Sequence, residues 1–276
     1  MSCMTFFVWV TDVRAKSLSD VELTGTAEFG FIGVAAHRIQ FGNTGTEFDY
    51  VKEGGQDVLF FFSRYSLEIT LFQAHNVSFL YQPLDIESSV ILDRDIVIDE
   101  QQFDRDAPVN LRYGFDFYRI GYDYDLFAEY PEHRLSLGAA LQIRNATIDF
   151  SSADGELRRT QRDVGPVPLL RLRGMYSFQN GWWLGAEVDG FYAPIKYING
   201  GDSDVEGAIL DSSVRLGYNL HRSMDVFANI RYLGGGAEGT SKDDSDRGDG
   251  FVSNWLHTLS FTIGIKVKPR EMLTTP

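Results

Sequence analysis

From Val21 onward one pattern returns about ten times: a stretch in which every second residue is apolar, with almost no helical period in between. The stretches run approximately 21–36, 57–74, 76–88, 108–127, 134–150, 167–178, 182–194, 208–220, 224–236 and 252–268. A period of two puts successive side chains on opposite faces of a strand, so each stretch predicts a β-strand with one apolar face. The links between them alternate in length. Those at His75–Asn76, 129–133, 179–181 and 221–223 are tight, whereas those at 37–56, 89–107, 151–166, 195–207 and 237–251 are long and polar. An even number of strands joined in this way closes into an antiparallel, up-and-down barrel with both termini at the short-turn end.

The two faces say what surrounds the barrel. In 134–150, Leu135, Leu137, Ala139, Leu141 and Ile143 oppose Ser136, Gly138, Ala140, Gln142 and Arg144; in 252–268, Leu259, Phe261, Ile263, Ile265 and Val267 oppose Ser260, Thr262, Gly264 and Lys266. One face is apolar to its ends and the other mixes small residues with charges, the reverse of a soluble sheet. About 9 to 11 residues suffice for a tilted strand to cross a bilayer, and every stretch is long enough. No segment approaches the 18 or more apolar residues of a transmembrane helix. Aromatics at 14%, with 27 Gly against 8 Pro, also favour an all-β chain. These features predict a transmembrane β-barrel of the bacterial outer membrane, with short periplasmic turns and long extracellular loops. Aromatics near strand ends fit its interfacial belts: Phe127, Phe178, Trp182 and Tyr218 on the turn side, Tyr192, Tyr232 and Trp255 toward the loops. A soluble ligand-binding barrel is the rival fold.

The stretch RYGFDFYRIGYDYDLF, Arg112 to Phe127, changes phase. Leu111, Tyr113, Phe115 and Phe117 alternate on odd positions, and Tyr118, Ile120, Tyr122, Tyr124 and Leu126 on even ones. A β-bulge between Asp116 and Tyr118 would put both sets on the lipid face and turn Arg112, Arg119 and Asp123 inward.

The chain resembles the OmpA-like outer-membrane β-barrels of Gram-negative bacteria, and more closely a group of uncharacterised ten-strand members. The resemblance rests on Leu80-Tyr81-Gln82-Pro83-Leu84, on the Pro108-Val109 entry to RYGFDFYRIGYDY, on Asp163-Val164-Gly165-Pro166-Val167-Pro168-Leu169-Leu170, and on Trp183-Leu184-Gly185-Ala186-Glu187-Val188-Asp189-Gly190. It spans roughly Val21 to Val267 and implies fold and location, but no reaction. It would also lead one to expect an aromatic last residue, where this chain runs on through Lys266 and Lys268 to Pro276, so 269–276 is read as a C-terminal tail. Residues 1–20, with an apolar centre from Met4 to Val10, read as a weak or truncated signal peptide or a disordered N-terminus, which leaves 21–268 for the barrel. The single cysteine, Cys3, precedes the barrel and allows no internal disulfide.

Carrying the phases through the strands sends Arg64, Arg112, Arg119, Arg144, Arg171, Arg173, Arg215 and Arg231 inward, accompanied by Glu22, Glu28, Glu68, Asp116, Asp123, Glu187, Asp189 and Asp211. Isolated buried charges are costly, so these predict a lumen network in which each guanidinium engages more than one carboxylate. A lumen of about ten strands is only just wide enough for its side chains. A plugged barrel with a structural or surface-interaction role follows; a small-solute pore and a rim hydrolase acting on lipid or peptide are the alternatives. For the hydrolase, His257 near Ser253 and the acids of the last loop is the candidate, since His75, His133 and His221 fall in the tight turns. No cofactor pattern is present. The net charge of -14 excludes nucleic acid as a partner. The expected partners are outer-membrane lipid and lipopolysaccharide, with divalent cations possible at the acidic loops GGDSDVEG (200–207) and EGTSKDDSDRGDG (238–250), whose spacing matches no twelve-residue calcium loop. The Arg247-Gly248-Asp249 triplet is too short to carry an adhesion reading. VILDRDIVIDE, Val90 to Glu100, predicts an extension of strands three and four above the membrane.

Overall fold

A computed structural model describes residues 21–130, 132–194, 204–240 and 249–269, and within these all side chains except those of residues 144, 163, 164, 193 and 194. The expected signal segment (1–20), most of the tail and most of the two acidic loops, with Arg247 and Gly248, lie outside the described residues, as does the side chain of Arg144. The elements are β1 (Val21–Phe41), β2 (Phe48–Asp49), β3 (Leu59–Leu71), β4 (His75–Gln82), β5 (Asp85–Ile91), β6 (Ile96–Ile98), β7 (Gln101–Phe103), β8 (Pro108–Asp125), β9 (His133–Ser152), β10 (Arg158–Ser177), β11 (Trp182–Pro194), β12 (Glu206–His221), β13 (Met224–Thr240) and β14 (Phe251–Val267). The sheet follows chain order, and β14 pairs with β1 to close it. Because β4 and β5 hold one register against β8 on either side of Pro83, and β2 only rides on β1, the barrel has ten staves, all antiparallel.

At the turn end the chain reverses tightly. Phe72 and Gln73 adopt φ of 53° and 65° between β3 and β4, and Gly181 takes φ 87° between β10 and β11, a conformation that favours glycine. At the loop end three sequence expectations change. The link expected over 151–166 shrinks to residues 153–157, because β9 and β10 stay paired out to Arg158↔Ser151. β1 likewise runs on to Phe41. VILDRDIVIDE extends β5 only to Ile91, after which β6 and β7 form a separate hairpin. That hairpin packs across the barrel mouth through Asp99 N to Phe41 O at 3.2 Å, Thr46 N to Val97 O at 2.8 Å and a buried Arg159–Asp99 pair.

The expected bulge in β8 is absent. β8 pairs with β9 without a shift from Val109↔Ser152 to Asp125↔Ser136, and odd positions face inward along its whole length. The phase change is therefore a change of surroundings. On the turn side, Tyr118, Ile120, Tyr122 and Tyr124 face outward and are exposed, as are Leu137, Leu141 and Ile143 of β9 and Phe261 and Ile263 of β14. Exposed apolar surface on this scale has to meet lipid rather than water. On the loop side, Leu111, Tyr113, Phe115 and Phe117 turn inward and join Phe41, Phe48, Tyr50, Ile148 and Phe150 in one buried core. Arg112, expected in the lumen, points outward there and donates to Asp85 at 2.6 and 2.9 Å. The strands continue beyond the membrane, and their faces swap where the lipid ends.

The expected belt aromatics all face outward or line the turns. Trp182 lies opposite Tyr218 with ring centroids 5.2 Å apart, and Phe178 packs edge-on to Tyr176 at 4.8 Å. Phe127 lies in the β8–β9 turn. Toward the loops, Tyr192 donates to Glu206 at 3.1 Å, Tyr232 bonds His257 at 2.6 Å, and Trp255 covers the outer face of Gly236.

Candidate functional site: the charged lumen

Inward positions on the turn side carry the charges, and no strand satisfies them alone. Glu28 on β1 is one hub: it accepts from Arg64 of β3 at 3.0 Å, Arg215 of β12 at 3.1 Å, Asn229 of β13 at 2.7 Å and Thr262 of β14 at 3.0 Å. Asp211 on β12 is a second. It takes a fork from Arg231 at 2.5 and 2.8 Å, and Arg119 from the far wall reaches it at 2.9 Å. Arg119 also pairs with Asp189 and donates to Gln142, and Arg171 forks onto the same Asp189 at 2.9 and 3.0 Å. Nearer the turns, Arg173 bridges Glu68 at 2.6 Å and Asp123 at 2.9 Å, while Glu187 lies 2.8 Å from Arg215 and 3.4 Å from Arg173.

These pairs cross the barrel: Arg119 to Asp211 joins β8 to β12, and Arg231 to Gln82 at 2.7 Å joins β13 to β4. Each guanidinium has five fixed donors and each carboxylate about four acceptor sites, so a chain of forks can satisfy buried charge that a single pair could not. The network leaves a cavity of about 80 Å³ among Arg64, Glu68, Glu187, Arg215 and Lys266, room for a few waters. Above it the apolar core fills the loop-side lumen.

Of the lumen residues the sequence put forward, Arg64, Glu68, Arg119, Asp123, Arg171, Arg173, Glu187, Asp189, Asp211, Arg215 and Arg231 come together here, while Arg112 does not. Asp116 faces outward and accepts from Leu84 N at 3.1 Å, and Glu22 sits at the turn-side mouth, 3.1 Å from Lys268. Sequence reasoning missed Arg134, which reaches Glu68 at 3.1 Å. Carrying the phase of Ser136 and Gly138 one step back along β9 would have found it. It also missed Trp183, buried in the lumen with Lys266 4.7 Å from its ring centroid. His257 lies on the outward face with Tyr232 as its partner, not in a cleft with loop acids. Among the described residues, no group of three or more His, Cys, Asp or Glu is disposed to hold a metal.

No protein-family model matches the chain, and neither does any curated protein. Among solved structures it is similar to the outer membrane protease OmpT from Escherichia coli, with a TM-score of 0.52 at 12% identity over 92% of this chain and 99% of that one. Weaker likenesses are to the outer membrane protein AlkL (TM-score 0.36, 14% identity, 94% and 96% covered) and to Ail, the attachment invasion locus protein of Yersinia pestis (TM-score 0.33, 11% identity, 87% and 99% covered). The likeness to OmpT is one of fold. With the closed ten-strand barrel and its apolar outer belt, the chain is a bacterial outer-membrane β-barrel protein.

Proposed function

We propose that this barrel is a non-conducting membrane anchor that holds a rigid loop-side platform for structural or surface-interaction roles. One observation carries the reading: the lumen is closed twice, by cross-barrel ion pairs on the turn side and by an apolar core on the loop side. A pore would have to break both at once, separating several forked charge pairs, each expensive to leave unmatched in a low-dielectric space. His257, the candidate for a rim hydrolase, is committed to Tyr232 on the outer wall, which favours the anchor. On the platform, the acidic segments 200–207 and 238–250 would face lipopolysaccharide, with divalent cations bridging like charges. Single-channel recording of the full chain in a planar bilayer with symmetrical salt tests the anchor. No discrete steps are expected from correctly folded protein; reproducible steps would overturn the anchor in favour of a gated pore.

A further inference from the structure

Between β10 and β11 the barrel wall opens, and the sequence motif around Pro166 makes the opening. β10 and β11 pair from Ser177↔Trp183 up to Leu170↔Gly190 and no further among the described residues, although β10 continues to Arg158 and β11 to Pro194. On its other side β10 stays paired to β9 straight through Pro166↔Ile143 and Pro168↔Leu141. The donors that Pro166 and Pro168 lack are therefore those that would face β11, and a strand carrying proline on one side is left with an open edge there.

Behind this break lies a cavity of about 460 Å³, within the range of sites that enclose a small organic ligand. Its lining draws on both faces of the wall: Tyr113, Phe115, Phe191 and Leu256 from inside, Leu141 and Pro166 from outside. The space thus runs through the wall rather than along the lumen. Among the described side chains no charged one lines it. The neighbouring outward residues are lipid-facing, with Leu170 69% and Ile143 48% exposed. Two lining side chains keep a buried polar atom without a partner, Asn254 its Oδ1 and Gln142 its Nε2. Gln142 is fully buried, its Oε1 accepts from Arg119, which fixes the amide orientation, and its Nε2 is left without an acceptor.

We infer that the β10–β11 break admits a single hydrocarbon chain from the membrane into this cavity, with a carbonyl or carboxyl oxygen of the ligand accepting from Gln142. Burial of the chain supplies the affinity and Gln142 fixes the polar end. A free fatty acid and the acyl chain of a lipid share this chemistry. The site shares Tyr113, Phe115 and Leu256 with the core that closes the lumen, but the two readings fail separately: discrete channel steps would overturn the anchor, whereas the absence of inside cross-links would overturn the acyl site.

The test is photolabelling of the full chain in phospholipid nanodiscs with a diazirine-bearing fatty acid and, in a parallel arm, with a phospholipid bearing the diazirine on one acyl chain. Cross-links mapped by mass spectrometry are expected on Phe191, Val167 or Leu256. Labelling in either arm supports the site, and which arm labels identifies the source. Cross-links confined to outward residues such as Leu170 and Leu210, in both arms, would overturn it. Two variants guard against misreading. Gly165 faces the cavity with nothing within 4 Å of an added Cβ, so Gly165→Phe should fill the space without a clash and abolish inside labelling. Gln142→Glu keeps an acceptor for Arg119 but removes the donor, and should weaken labelling by the fatty acid while sparing a diazirine-bearing alkane. Inside labelling unchanged in Gly165→Phe would also sink the proposal.

Discussion

In β8 the residues Tyr118, Ile120 and Tyr122 face outward with Arg119 and Asp123 inward, yet a few positions earlier Arg112 faces outward with Tyr113 and Phe115 inward. The strand, its register and its pleat are continuous between the two. The turn-side half of the barrel keeps its ion pairs inside and its apolar side chains outside; the loop-side half puts Arg112–Asp85 and Arg158–Asp149 on its surface and Phe48, Phe103 and Phe150 at its centre, with the Arg159–Asp99 pair buried where the β6–β7 hairpin packs on it. One chain thus obeys two solvation rules, and the boundary between them is a reading of where lipid gives way to water. The same charges that must be fully paired in the lower half can be left half-exposed in the upper.

Replacing Glu28 with Ala should have the largest effect. It removes the acceptor of four donors, two of them guanidinium groups buried with it, and breaking one side of a buried pair costs about 3–5 kcal/mol. Urea unfolding in lipid vesicles, followed by tryptophan fluorescence, measures it. A loss below about 1 kcal/mol would mean that the turn-side lumen is wet and that its pairs behave like surface ones.

Phe150→Ala probes the other half. Phe150 is fully buried between Phe48, Tyr50 and Phe103, and truncating such a side chain costs about 3–4 kcal/mol in a core that cannot collapse. Because this core lies beyond the lipid, the loss should be the same in bilayers of different thickness, checked by repeating the unfolding in short- and long-chain lipids. A loss that follows lipid thickness would put the core inside the membrane.

Most of the barrel was legible in the sequence, because a period of two and the alternation of link lengths are set by strand geometry and closure alone. The inversion in β8 was not. Alternation shows that two faces differ but not which medium each one meets, so a bulge and a change of surroundings leave the same pattern of apolar positions; only the continuous pairing with β9 separates them. The reach of β10 was hidden for a related reason. Gly165 and Pro166 read as the end of a link before a strand beginning at 167, yet proline is compatible with a strand whose partner on one side is missing. Most of the lumen residues were legible from phase, whereas their partners across the barrel depend on which strands face one another after closure.

A lysine placed on either half sharpens the boundary directly. Ile120→Lys puts a charge against lipid and should cost about 2–3 kcal/mol, as cations near the bilayer midplane of such barrels do. Asn110→Lys, ten positions earlier on the same outward face, should cost almost nothing, since its neighbours there are Ser89 and Ser151. Folding yields into vesicles for the pair give the comparison, and equal penalties would erase the boundary between the halves.

A small effect belongs to the surface pair that marks the upper half. Arg112 and Asp85 are 2.6 Å apart, but their side chains remain 48% and 46% exposed. Water screens such a pair and its side chains give up rotamer freedom to hold it, so Asp85→Ala should cost less than about 1 kcal/mol. A double-mutant cycle with Arg112→Ala isolates the coupling, and raising the salt to about 1 M, where the screening length falls to about 3 Å, should remove most of it. The same salt should leave the Glu28 penalty intact, because ions that screen Arg112 have no path to a lumen closed at both levels. A coupling at Arg112 that survives salt would mean this outward face is also shielded from water, and the lipid would then reach further up β8 than its inverted phase implies.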